Sequence, residues 1–401
     1  MKEPLLIGRP PLIRQTNSQI LLNLLREKGP CSKADLVRAS GLSAPSVTNV
    51  VAHLAQAGVV EAIGEGDSTG GRPPDILRFR AERGCVVGVE VGADVLHFLL
   101  CDLNGHELGR TRVAIERPGS TPSVVCRTIG QAVRDLLQKH KQSENLLLGL
   151  AVGVPAIVNV DAGRVVAYSA LPDWNDVPLG DMLSREFRCL VTIENDTNLA
   201  AQGEFYRGAA VGQKDFVFIT IGDGVGSGIF IDGRLHRGSQ WSAGEIGYLR
   251  VPNVSRGNPT IHQYGNLEKS LHAPGIMKAW KSSLQASRAK PKVLHARDVF
   301  DLASGGNALA KRIVKQCATV LADTILDLAL ILNPSVILLG GEVGSHPFLL
   351  QEVQNLLEGS EFALVRVQPG GLGSSAVLWG AVFTTLEPAI FGLLQNSTHS
   401  S

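Results

Sequence analysis

The sequence predicts an N-terminal winged helix-turn-helix joined to a two-lobed α/β body. Three short helical patterns and a Gly-Gly-Arg-Pro turn fill the run from Arg14 to Arg80. A strand-rich unit then starts at Cys85, and a second unit of similar pattern starts at Phe216. At 401 residues the chain exceeds what one hydrophobic core usually organises. The expected division is a head over residues 1–82, a first lobe over 83–196 and a second lobe over 197–401.

In the head, Ile20, Leu21, Leu24 and Leu25 form an apolar stripe at helical spacing over 14–27, stopped by Gly29-Pro30. Ser32 with Asp35 three residues on is a capping pair for a short helix through Val37 and Ala39. Gly41 makes the turn, and Ser43 caps a third helix carrying Val47, Val50, Val51 and Leu54 that ends at Gly58. This order is helix-turn-helix spacing. The early polar positions of the third helix, Ser43, Ser46, Thr48 and Asn49, are the candidates to reach phosphates or base edges. Residues 59–63 and 76–79 read as two strands of a wing with its tip at 64–74, where Arg72, between Gly71 and Pro73, suits minor-groove or phosphate contact. The alternative is a winged fold used for protein contact or dimerisation.

In the body, strands are expected at Cys85–Glu90, Val95–Asp102 and from Leu108, then a helix at 122–139 and a strand at Leu146–Val152. The second unit repeats the theme: a strand at Phe216–Ile221, a loop at Gly222–Gly228, a strand at Ile229–Ile231, a long helix near 305–332 and a strand at Ser335–Leu339 before Gly340-Gly341. Duplicated units predict two lobes facing a cleft, with glycine loops at strand ends meeting a ligand. Asn195 and Asp196 close a strand there, and a carboxylate beside an amide suits a polyol. The competing reading is that both residues simply cap a helix beginning near Leu199.

Composition narrows the class. Net charge is only +1, so no strong field covers the molecule, although Arg9 to Arg38 holds six Lys/Arg against two acidic residues. The six cysteines form neither a CxxC pair nor a Cys/His cluster, which predicts reduced, mostly buried thiols. The N-terminal apolar run is too short for a signal peptide, and no segment reaches the uninterrupted apolar length of a membrane helix. Even residues 321–341 contain Asp323, Asp327 and Pro334. A cytoplasmic protein is expected.

The motifs GLSAPSVTNVVAHLAQAGVV with the GGRP wing, IENDTNLAAQGE at 193–204, IGDGVGSGIFIDGRLHRG at 221–238, SAGEIGY at 242–248 and VILLGGEV at 336–343 resemble the ROK family (repressors, open reading frames and sugar kinases). The resemblance covers residues 14–390 and falls in the repressor branch, whose N-acetylglucosamine and xylose repressors carry a winged head before a sugar-kinase-like body. It implies a body of the actin-like ATPase, ribonuclease-H-like kind. It also implies that Asp196 matches the base that activates the sugar hydroxyl in the family's kinases, and that Glu245 and Glu268 bind sugar.

This chain departs from the family pattern at two places. Tyr248 stands where the resemblance implies a histidine, and Pro259, Ile261 and Asn266 stand where it implies three zinc-binding cysteines. No thiolate remains there, so neither zinc nor any other cofactor is expected. The phosphate loops depart as well. The first reads Glu90-Val91-Gly92-Ala93-Asp94, and the second begins Gly222-Asp223-Gly224. Asp94 and Asp223 put acceptor-only carboxylates where hydroxyls would donate to phosphate. These changes weaken the positioning and charge stabilisation on which phosphoryl transfer depends. The sequence therefore leads to a DNA-binding repressor, not an enzyme, acting as a homodimer on operator DNA and sensing a sugar or sugar derivative. Two alternatives stay open: an ATP-dependent sugar kinase with a DNA-binding appendage, and a regulator controlled by a protein partner.

Overall fold

Helical stripes, caps and β-rich runs assemble in the order the sequence lays out. The computed structural model describes residues 10–65, 73–115, 121–168, 172–251, 259–284, 293–359 and 365–396. In the head, α1 (Pro10–Lys28), β1 (Cys31–Ser32), α2 (Lys33–Ser40) and α3 (Ala44–Gln56) precede the wing strands β2 (Val60–Glu65) and β3 (Asp75–Phe79). Ser32 and Asp35 form the capping box of α2, with the Ser32 amide donating to Asp35 at 2.9 Å. Gly41 closes α2 in a left-handed conformation with φ 69°. The wing has one strand more than expected, because β1 pairs with β3 to give the order β1-β3-β2. Arg72 and the segment 66–71 lie outside the described residues.

The first lobe comprises β4 (Cys85–Val91), β5 (Val95–Asp102), β6 (Glu107–Ala114), α4 (Pro122–Lys139), β7 (Leu147–Val154), β8 (Ile157–Asn159), β9 (Arg164–Ala167), α5 (Leu179–Ser184) and β10 (Leu190–Asn195). The linking helix α6 (Asp196–Arg207) follows. The second lobe comprises β11 (Phe216–Ile221), β12 (Val225–Ile231), β13 (Arg234–Leu235), α7 (Asn266–Leu271), α8 (Ala273–Leu284), α9 (Ala296–Ser304), α10 (Ala308–Leu332), β14 (Val336–Gly340), α11 (Gly341–Gly344), α12 (Pro347–Leu357) and β15 (Arg366–Pro369). The chain closes on α13 (Ala376–Asn396).

The duplication is a repeat of topology. One sheet runs β10-β7-β4-β5-β6 and the other β13-β12-β11-β14-β15. In each, three antiparallel strands are extended by two parallel ones, and a helix follows the last strand. Those two following helices, α6 and α13, pack on each other. α6 also lies against β11 and β12, and α13 against β4, β5 and β7. By packing, α13 therefore belongs to the first lobe, whereas a division at 196/197 assigns it to the second.

Two further expectations are corrected. The run at 222–228 is a loop only to Gly224, since β12 starts at Val225 and pairs with β11. Its glycines serve close packing: a Cβ at Gly228 would overlap that of Ala201, and one at Gly226 would lie 3.1 Å from Thr197 Oγ1. The 23-residue stretch Gly373–Gln395 is also long and apolar enough, by length and composition, to cross a membrane. Its apolar side chains are spent on core packing instead, with Ala381, Val382 and Leu386 all buried.

α13 also reaches the head. Leu21, Leu22, Leu25, Val47, Leu54 and Phe79 share one apolar cluster with Val86 and Leu99 of the first sheet and with Leu378, Val382, Leu386 and Ile390 of α13. The side chain of Gln19 in α1 donates to Glu387 at 3.0 Å. The head is thus packed onto the body through the closing helix.

Candidate functional site: a carboxylate-lined cleft and a winged head

On α3 the split between faces is clean. Val47, Val50, Val51 and Leu54 are buried, while Ser43, Thr48 and Asn49 are exposed and Ser46 is half-buried. Ser43 caps the helix and its Oγ lies 2.9 Å from that of Ser46, so this pair is engaged within the helix start. Thr48 and Asn49 project outward from the helix face a groove would meet.

In the body, a cleft of about 450 Å³ opens between the lobes. It gathers Glu90, Gly92, Asn195, Asp196, Gly222, Asp223, Gly224, Glu245, Tyr248 and Glu268 from strand ends and loops far apart in sequence. The cleft does not include Asp94, Gly340 or Gly341 among its lining residues. Asp94 is exposed, and its carbonyl accepts from Ile115 at 2.8 Å in a strand turn. Asp94 therefore does not line the cleft, although its neighbours Gly92 and Ala93 do, so the expected carboxylate in the first phosphate loop is turned towards the surface. The paired glycines are packing residues. A Cβ at Gly340 would overlap the Phe218 ring, and one at Gly341 (φ 80°) the Ile221 carbonyl.

Asn195 fills both roles that the sequence left open. It is the N-cap of α6, accepting from the Asn198 amide at 2.9 Å, and its side-chain nitrogen donates to the Ala156 carbonyl at 3.1 Å. It lines the cleft with one acceptor lone pair and one N–H already engaged, half of what its side chain can offer. The helix begins at Asp196 and not near Leu199. Asp196 accepts from the Thr197 amide at 2.7 Å, and burial raises its carboxyl above the usual range. Glu268 accepts from the Val225 and Gly265 amides at 3.3 and 3.2 Å, one on each oxygen, which fixes it between two chain segments. Burial raises its carboxyl too. Among the described residues, no hydrogen bond reaches the Glu245 side chain. Burial, then the neighbouring Glu268 and Asp196, push its carboxyl up to about 7. Glu90 is likewise pushed up to about 7, by burial and then by Asp196. A set of crowded carboxyls with spare acceptor lone pairs suits a ligand rich in hydroxyl donors.

Tyr248 carries its hydroxyl across to the Ile261 carbonyl at 3.1 Å. Burial, then Glu245 and Glu268, push the Tyr248 phenol up to about 12. Among the described residues no group of three or more His, Cys, Asp or Glu side chains is placed to hold a metal ion.

Sequence reasoning assigned no role to three residues here. Glu194 is buried and pairs with Arg237 at 2.7 Å, tying β10 to the segment before the Glu245 loop. Buried Glu204 accepts from the amides of Ala209, Gly371 and Leu372, which ties α6 to the approach of α13. Trp241 lines the cleft on a left-handed backbone, φ 55°. Glu194 and Glu204 lie at the two ends of the IENDTNLAAQGE motif, which carried no hint of these ties, and Trp241 stands as a bulky aromatic between Gly238 and Gly244.

Comparison with known proteins agrees with this architecture. The ROK family profile matches residues 86–386, and a MarR family profile matches residues 13–72. The xylose repressor of Bacillus spizizenii is 25% identical over 95% of this chain and 97% of its own length. A glucokinase of Halalkalibacterium halodurans is 32% identical over 71% of this chain and 88% of its own. The crystal structure of a ROK family transcriptional regulator, described as a homolog of the E. coli MLC protein, superposes with a TM-score of 0.79. It is 23% identical and covers 97% of this chain and 100% of that one. The chain belongs to the ROK family, with the winged head and sugar-kinase-like body of its repressor branch.

Proposed function

We propose that this protein is a transcriptional repressor that binds operator DNA as a homodimer through its winged heads and is controlled by a sugar or sugar derivative held in the interlobe cleft. The observation that carries the reading is the shared core of head, first sheet and α13. α13 in turn packs on α6, whose first turn lines the cleft, so a closure felt at Asp196 has a packed route to α1. A ligand acts through this route only if it binds two head arrangements with different affinity. The protein acts in the cytoplasm, where its DNA target lies. The test is a fluorescence-anisotropy titration of an operator-length duplex from the gene's own upstream region at fixed salt. Binding tighter than to a shuffled duplex is expected, and equal affinity for both contradicts the reading.

Zinc has no part in this reading. Tyr248, Pro259, Ile261 and Asn266 supply no thiolate or imidazole, and the Tyr248–Ile261 hydrogen bond offers a metal-free tie for the same segment. The kinase alternative rests on Asp196, a carboxylate with a raised pKa at the cleft floor. Asp223 works against it, placing a carboxylate in the glycine turn where a phosphate would sit. We expect ATP turnover with hexoses and N-acetylhexosamines to be no faster than in Asp196→Asn. Turnover abolished by that substitution would establish a kinase instead.

A further inference from the structure

The cleft specifies its ligand more narrowly than a sugar, and this inference rests on the sugar-responsive reading above. Five carboxylates line it: Glu90, Asp196, Asp223, Glu245 and Glu268. Among the described lining residues there is no lysine, arginine or histidine. Burial and crowding raise four of these carboxyls, so the lining is only partly ionised, but it offers a phosphate no cation to pair with and any remaining charge repels it. The cleft also gathers most of the tyrosines and one tryptophan. Three of the chain's four tyrosines, Tyr168, Tyr248 and Tyr264, line it together with Trp241. The other three tryptophans, Trp174, Trp280 and Trp379, are buried in cores.

Trp241 holds its place against the preference of its backbone. Three left-handed residues lie within seven positions: Gly238 at φ 72°, Trp241 at φ 55° and Gly244 at φ 90°. Glycine accepts that conformation without a Cβ clash, and tryptophan does not. Gly244 earns no such question, because a Cβ there would overlap the Ser227 carbonyl. A bulky side chain on such a backbone marks a ligand-contacting position better than a packing one. The loop that carries Trp241 is pinned on both sides. Arg237 pairs with Glu194 at 2.7 Å, and the Ser227 amide and hydroxyl both donate to the Gly244 carbonyl, at 2.9 and 3.0 Å.

We propose that the cleft binds a neutral, unphosphorylated carbohydrate whose C–H face stacks on Trp241 while its hydroxyls donate to Asp196, Glu245 and Glu268. An aromatic face supplies the apolar contact and the carboxylates supply directional acceptors, a division of labour that fits one molecule with both kinds of surface.

Calorimetric and tryptophan-fluorescence titrations of the full-length protein test this with D-xylose, D-glucose and N-acetyl-D-glucosamine, and with the 6-phosphates of the latter two. One free sugar is expected to bind and to change the fluorescence, with its 6-phosphate at least tenfold weaker. Trp241→Gly should weaken that sugar at least tenfold and leave the melting temperature unchanged or higher. Trp241→Phe, which keeps an aromatic face, should retain most of the affinity. Unchanged affinity in Trp241→Gly would overturn the stacking role and leave the sugar reading intact. A 6-phosphate that binds tighter than its free sugar would overturn the neutral-ligand assignment. Heat-detected binding of none of these sugars would overturn the sugar reading and this proposal with it.

Discussion

Gly380→Ala is expected to destabilise the protein by about 3 kcal/mol, the upper range for overpacking a tight interior. Gly380 sits where α13 crosses α6, and a Cβ built there would overlap the Leu199 carbonyl oxygen. Its counterpart on α6, Gly203, faces the Ala376 carbonyl in the same way. Backbone blocks both positions, so relief requires the two helices to separate. Tyr206 and Phe383 stack at 5.2 Å, and Arg207 lies 3.9 Å from the Trp379 ring centroid, so separation disturbs these contacts as well. Gly392 on the same helix is the control, since a Cβ there meets nothing within 4 Å. Gly392→Ala should be neutral or stabilising by roughly 0.5–1 kcal/mol, because alanine loses less backbone entropy in a helix. Urea midpoints of the two variants should move in opposite directions. Equal shifts would mean that the α6–α13 crossing is not tight.

The second large effect is expected at Glu204. This buried side chain accepts from Ala209 and Gly371 at 2.7 and 2.8 Å on one oxygen and from Leu372 at 2.9 Å on the other. Glu204→Ala leaves three backbone donors without their partner, and an orphaned donor costs about 1–3 kcal/mol where water cannot replace the acceptor. Gly371 is exposed and regains water, so about 3 kcal/mol in total is the expected loss. Glu204→Gln should recover part of it, since one amide oxygen still accepts. Chemical denaturation reads both values, and a loss below about 1 kcal/mol would show that the loop finds other acceptors.

Local chemistry was legible in the sequence. The Ser32–Asp35 capping box, the Gly41 turn and the Ser43 cap each depend on residues within three or four positions. The inner strands of the repeated sheets were legible from their apolar runs, whereas the edge strands β13 and β15, short and polar, were not. Three kinds of feature were not. The path of α13 depends on what it packs against, and its composition alone fits a membrane span as well as a core. The extent of the 222–228 loop was misread because its glycines look like flexibility but serve to admit α6 against β12. At the site, Asp196, Glu245 and Glu268 were named in advance and do meet in one cleft. The resemblance supplied Glu245 and Glu268, whose approach across the lobes no local pattern encodes. The resemblance puts Asp94 in the first phosphate loop, and the strand turn leaves it exposed outside the cleft lining.

The central claim is that the cleft and the winged head communicate. The most direct measurement is the operator titration by fluorescence anisotropy, repeated across the carbohydrate panel at fixed salt, with Glu245→Gln alongside the native protein. The account predicts that one sugar changes operator affinity at least fivefold, within the range of typical coupling energies of about 1–3 kcal/mol, and that Glu245→Gln diminishes this response while binding DNA normally without sugar. Operator affinity that stays the same at saturating concentrations of every sugar that binds the cleft would contradict it.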